Sequence, residues 1–193
     1  VPREGEFNVD KVKAIIEKFF GREPVPVKDA PVPELPLRTP ILCAGCPHRA
    51  SFYIFKEAAR GTDAVFTGDI GCYTLGAIPP LNAVDTCLCM GASITMAAGL
   101  HRAEPGRRHV AFLGDSTFFH SGVTGLINAV YNRADITVVI LDNRTTAMTG
   151  HQPHPGMGKT AMAEDSARVD ITGLVKACGV DFVRQVDPFD LAA

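Results

Sequence analysis

Apolar positions recur along this chain in two rhythms. Val9, Val12, Ile15, Ile16 and Phe19 fall at helical spacing. They predict a helix over Asn8–Phe20, capped by Asn8 and ended by Gly21. After Pro40, short unbroken apolar runs alternate with helical stretches. Ala64–Thr67, His109–Leu113 and Ile136–Leu141 read as buried strands, with Asp181–Gln185 as a last one. Helices are expected from Pro47 to Ala58, over Gly91–Arg102, Ser116–Asn132 and Asp170–Cys178. Buried strands separated by helices define an α/β class: a parallel sheet flanked by helices on both faces.

The proline distribution adds an appendage. Seven of the 14 prolines lie within the first 40 residues. Residues 1–40 are expected to form the N-terminal helix and a proline-rich arm, extended from Glu23 to Pro40. A spacer and a strap packed on the domain both suit that composition. Residues 41–193 form the main domain. The chain opens at Val1 without methionine and stops abruptly after Leu191, so it is expected to be a piece of a longer polypeptide.

Composition narrows the function. A hydrophobic share of 46% and a charged share of 21% are those of a globular protein. The net charge of −2 gives no electrostatic case for nucleic acid. The longest nearly apolar run, Leu88–Leu100, is too short to cross a bilayer, and no signal-peptide pattern opens the chain. No membrane partner is expected. The six cysteines group as Cys43 and Cys46, Cys72, Cys87 and Cys89, and Cys178. That grouping suits a reduced cytoplasmic setting with metal or redox use, not a disulfide framework.

The candidate chemistry lies at two strand ends. One strand runs into Gly114-Asp115, and the next into Asp142-Asn143. Ligands of such sheets bind at the carboxyl ends of the strands. A carboxylate and a carboxamide there are hard oxygen donors suited to Mg²⁺ and a phosphate-bearing cofactor. The helix opening at Ser116 can turn amide N–H groups toward the same phosphate.

Gly114-Asp115 with Asn143 28 residues later resembles the Gly-Asp-Gly…Asn signature of thiamin diphosphate enzymes. Ser116 departs from it, standing where the motif has its second glycine. Five blocks extend the likeness: CAGCPHRASF, GDIGCYTLG, DTCLCMGAS, GDSTFFHSGVTGLINAVYN and LDNRTTAMTGHQPHPG. Together they resemble the thiamin-diphosphate-binding domain of the indolepyruvate:ferredoxin oxidoreductase large (α) subunits, within the 2-oxoacid:ferredoxin oxidoreductases. The likeness runs from about Leu37 to the end.

The resemblance implies Mg²⁺ held by Asp115, Asn143 and the Thr145 carbonyl. It implies Thr149 and Gly150 closing over the diphosphate. Gly68 and Asp69 are expected on the aminopyrimidine side, although Asp69 serves equally well as a turn cap. The implied reaction oxidises an aryl 2-oxo acid, releases CO₂, forms an acyl-coenzyme A and passes electrons to ferredoxin. The activating glutamate is expected from a separate pyrimidine-binding domain, and a second subunit completes the enzyme. Glu57, Glu104 and Glu164 read as surface residues.

In related enzymes, cysteines matching Cys43, Cys46 and Cys72 bind a [4Fe–4S] cluster, whose fourth ligand comes from a downstream Pro-Cys element. Cys178 is a poor substitute. By spacing alone, zinc on Cys43, Cys46, His48 and Cys72 is not separable from a cluster. Cys87 and Cys89 read as buried thiols. Phe118 and Phe119 read as core, and His120 as a turn histidine close enough to Asp115 to meet substrate. His151 and His154 cannot form a helical pair, because Pro153 and Pro155 prevent a helix there, and their loop is expected to cover the diphosphate. A non-oxidative thiamin diphosphate decarboxylase or synthase, and a zinc-stabilised binding module, are the alternatives.

Overall fold

The computed structural model describes residues 7–24 and 34–190. These residues fall into two compact units, divided between Thr39 and Pro40. The centre of the proline-rich arm, 25–33, lies outside the described residues. In the first unit, helix α1 spans Val9–Phe19. Asn8 caps it by accepting the Lys11 N–H at 2.9 Å. The chain leaves the helix through Gly21, at φ +69°.

The second unit is built on a parallel sheet. Its strands are β1 (Val65–Gly68), β2 (Thr86–Cys87), β3 (His109–Gly114) and β4 (Thr137–Leu141), in the spatial order β2-β1-β3-β4. Register pairs Phe66 with Val110 and Thr67 with Ala111, so each pair shares a face. One face carries Phe66, Val110 and Phe112. Helix α2 (Pro47–Ala58) packs there, with Phe52 and Phe55 centred 5.0 and 5.2 Å from the Phe112 ring. The other face carries Thr67, Ala111 and Leu113. Helix α3 (Ala92–Ala103) lies against it, and the Thr67 hydroxyl donates to the Ser93 carbonyl at 2.8 Å.

The helix after β3 is not uniform. It begins as α4 (Asp115–Thr117), widens into a π turn over Phe118–Gly122, and continues as α5 (Val123–Tyr131). Gly122 lets this segment approach β3, because a Cβ there would stand 2.6 Å from Leu113 Cδ1. Helix α6 (Ile171–Ala177) is capped by Asp170, whose carboxylate takes the Gly173 N–H at 2.7 Å.

Two expectations need correction. Asp181–Gln185 carries no strand, although Val180 and Val183 pack on the core. Apolar packing holds that segment without a ladder. The two-residue β2 was not foreseen. Asp85 sets it up by bonding Phe66 through both main chain and side chain, each at 2.8 Å.

Candidate functional site

The sheet delivers its acids to one edge. Asp115 follows β3 directly and is 1% exposed. Its Oδ1 accepts the Ser116 N–H at 2.7 Å. Its Oδ2 accepts the Arg144 N–H, also at 2.7 Å. Arg144 lies in the turn after β4, at φ +55°. That turn is closed by the Asn143 side chain, which accepts the Thr145 N–H at 3.3 Å. Thr146 donates to the Ser116 hydroxyl at 2.7 Å. Asp115, Ser116, Asn143 and Thr145 therefore meet at one corner.

His154 completes this corner, reaching an acid 39 residues away in the chain. Its Nδ1 accepts the Gly156 N–H at 3.2 Å, which leaves Nε2 to carry the proton. That Nε2–H points at Asp115 Oδ2, 3.0 Å away. The Phe119 ring stacks on the imidazole, 5.6 Å between centroids. Phe118, one residue earlier, is fully buried. The π turn lets adjacent aromatics serve the core and the histidine, the kind of use π bulges have at functional sites. Burial is the main influence on the Asp115 carboxyl and pushes it above its ordinary range. The Ser116 N–H and His154 oppose that rise, while Asp142 adds to it.

Asp69, at the end of β1, is fully buried. Oδ2 accepts the Gly91 N–H at 3.0 Å and the Ser93 hydroxyl at 2.9 Å. Oδ1 accepts the Tyr73 hydroxyl. This is the geometry of a cap on α3, closing the helix whose entry residue Gly91 stands at φ +84°. Burial again raises the carboxyl, against four donated hydrogen bonds. Gly68 gives room for Val84, whose Cγ1 would lie 2.7 Å from an added Cβ.

Among the described residues, the others expected at the site make no hydrogen bond to Asp115. Thr149 and Gly150 form an exposed turn, in which the Thr149 hydroxyl donates to Gln152 at 2.7 Å. His120 is exposed, and His151 reaches only the Thr145 hydroxyl, at 3.5 Å. Glu57 pairs with Arg60 at 2.6 Å and Glu104 with Arg107 at 2.8 Å, while Glu164 is exposed.

The thiols gather on the α2 side. The Cys43–Cys46 turn closes with a 3.2 Å main-chain bond through Gly45, at φ +71°. Arg49 reaches back to the Cys43 carbonyl at 3.0 Å. Burial raises the Cys72 thiol, and Cys46 and Cys43 stand near enough to raise it further. Among the described residues, no group of three or more His, Cys, Asp or Glu is arranged to hold a metal ion. Cys178 sits at the α6 terminus, packed on the core. Cys87 and Cys89 are exposed, contrary to their reading as buried thiols, because β2 is a short strand at the sheet's edge.

A parallel sheet with oxygen donors gathered at its carboxyl edge is that of a ligand-binding α/β domain. The chain belongs to the thiamine pyrophosphate enzymes: residues 69–193 match the family described as thiamine pyrophosphate enzyme, C-terminal TPP binding domain. It is 47% identical over 196 residues to indolepyruvate oxidoreductase subunit IorA of Methanothermobacter marburgensis, covering 99% of this chain and 31% of that one. Identity to the IorA subunit of Archaeoglobus fulgidus is 45% over 199 residues, covering 99% and 32%. The chain thus spans about a third of the length of these curated relatives. A solved structure shares the fold: the 2-oxoglutarate:ferredoxin oxidoreductase from Magnetococcus marinus with 2-oxoglutarate, coenzyme A and succinyl-CoA bound. The TM-score is 0.59 at 18% identity, covering 75% of this chain and 52% of that one. Among the described residues, no helix is long and apolar enough to cross a membrane.

Proposed function

We propose that this chain is the cofactor-holding part of a cytoplasmic enzyme that oxidatively decarboxylates an aryl 2-oxo acid of the indolepyruvate type. The product is an acyl-coenzyme A, and ferredoxin takes the electrons. The names of the most similar relatives support the substrate class. One observation carries the reading: the buried Asp115 carboxylate is joined to the Asn143–Thr145 turn through the Arg144 N–H.

The donor set fits the group it would hold. The Asp115 carboxylate, the Asn143 carboxamide and the Thr145 carbonyl are hard oxygens supplied from two adjacent strand ends. They suit Mg²⁺, which favours oxygen ligands and shares its shell with phosphates. The helix opening at Ser116 would turn its amides to the diphosphate. Thr149 and Gly150 would close over it, with Gly68 and Asp69 on the pyrimidine side. Thiamin diphosphate, when bound, supplies the carbon nucleophile for attack on the 2-oxo group. The chain's own part is electrostatic and positional. Asp115 offsets the cation's charge, and the His154 Nε2–H orients its carboxylate.

Cys43, Cys46 and Cys72 would contribute three thiolates to a [4Fe–4S] cluster, one short of the usual four. Their donor chemistry suits iron–sulfur, and their gathering favours an oxidative enzyme over a non-oxidative decarboxylase. Family membership speaks against the zinc-stabilised module. The pyrimidine-binding domain, with its activating glutamate, and a second subunit complete the enzyme in this reading.

Asp115→Ala tests it. The substitution is expected to abolish Mg²⁺-dependent thiamin diphosphate binding in titration calorimetry. The chain should stay folded, with stability lowered by about 1–3 kcal/mol for the donors left unpaired. Equal affinity in the two proteins would overturn the assignment.

A further inference from the structure

Tyr73 touches three of the four segments that carry expected site residues, all but the turn after β4. Its ring is 3% exposed and lies between two glycines. An added Cβ would stand 2.2 Å from its Cε1 at Gly71 and 2.6 Å from it at Gly114. Its edge meets His48, 6.2 Å between centroids, two residues along from Cys46. Cys72 precedes it in the chain. Its hydroxyl donates to Asp69 and stands 2.9 Å from the Thr117 hydroxyl, two residues after Asp115.

Packing explains the ring but not the hydroxyl. Phenylalanine would fill the space between the glycines equally well. The phenol has one proton, and the Asp69 carboxylate takes it. The phenol oxygen is then left to accept from Thr117. The result is a buried chain, Asp69–Tyr73–Thr117, that runs from the end of β1 to the first turn after β3. Such chains are held more firmly than isolated pairs, because each bond polarises the next.

Resting on the reading above, we propose that Tyr73 is a positioning residue. Its hydroxyl links the thiol-bearing loop at Cys72 to the metal-holding corner at Asp115, so that the two keep one registry. No reacting group is touched by it. Its effect is on how Cys72 and Asp115 are presented.

The test uses Tyr73→Phe in the full chain, treated with a strong chelator so that the cysteines are free. Two quantities are measured beside the wild type. One is the iodoacetamide labelling rate of Cys72, with Cys178 as internal reference, read by peptide mass spectrometry. The other is the Kd for thiamin diphosphate with Mg²⁺, read by calorimetry. The loss of the hydroxyl's bonds to Asp69 and Thr117 is expected to speed Cys72 labelling about fivefold and to weaken cofactor binding about fivefold. Cys178 labelling is expected to stay unchanged. Movement at one end only, or at neither, overturns the link. Equal acceleration of Cys178 also overturns it, since that marks general loosening. Wild type that binds no thiamin diphosphate overturns the reading of the corner and the proposal with it. Wild type that binds, beside a variant that binds and labels identically, overturns the proposal alone. Should Tyr73→Phe fail to fold, Thr117→Val removes the partner hydroxyl at the other end, with the same expectations.

Discussion

His154 reaches Asp115 because Gly156 leaves room for it. An added Cβ at Gly156 would stand 2.8 Å from Phe119 Cε2 and 3.1 Å from His154 Cε1. The same glycine donates the N–H that fixes the imidazole tautomer. Gly156→Ala is therefore expected to push the stacked rings apart, at about 1–3 kcal/mol of stability, as other overpacked sites do. The Nε2–H then loses its line to Asp115, and Mg²⁺-dependent cofactor affinity falls with it. Thermal unfolding and calorimetry check the two effects separately. Unchanged affinity in a destabilised variant would show that His154 does not orient the acid. The histidine was hidden in the sequence for a physical reason. Its loop is broken by Pro153 and Pro155, so no periodicity relates it to a helix face. Its partner is 39 residues away and is reached only through the fold. Asp115 and Asn143 were legible, because each ends an apolar run and strand ends of parallel sheets converge.

Among the elements, most boundaries followed from local chemistry. Asn8 and Asp170 cap their helices by side-chain bonds, and Pro47 opens α2 at its first position. The π turn was not legible, since it answers to the depth at which Phe118 and Phe119 are needed. Nor was β2, a strand of two residues made by pairing with β1. The cap on α3 is the least ordinary of these features, for its acid comes from another strand. Asp69 is held above its ordinary 3.8 by burial, only partly offset by its donors. The folded state then binds the proton more tightly than the unfolded chain. Its contribution to stability is fully present below the ordinary value and is lost as pH rises through the raised one. Urea unfolding across that window should show wild-type stability falling with pH more steeply than Asp69→Asn. A wild-type curve rising relative to the variant would mean that the donors outweigh burial.

On the scale of the molecule, the chain should fold and yet be catalytically silent. Folding follows from the core of the second unit. Phe52, Ile94, Phe112, Leu113 and Phe118 are fully buried, and they tie α2, α3 and the helix after β3 to one sheet. Silence follows from what the described site lacks. Glu57, Glu104 and Glu164 are paired or exposed, so none is free at the corner to serve the pyrimidine. The thiols that gather number three, and a cluster takes four. About two thirds of the length of the IorA relatives lies outside the matched region. In the proposed function, those parts supply the activating acid and the electron path. Cofactor held at its diphosphate end alone also binds weakly, because half of its recognition is missing. The assay is 2-oxo acid-dependent reduction of a viologen dye, with thiamin diphosphate, Mg²⁺ and coenzyme A present. Background rates are expected, alongside a cooperative unfolding transition in circular dichroism. Turnover like that of an intact oxidoreductase would place the activating group within these 193 residues. The boundary of the active site would then have to be redrawn around this chain alone.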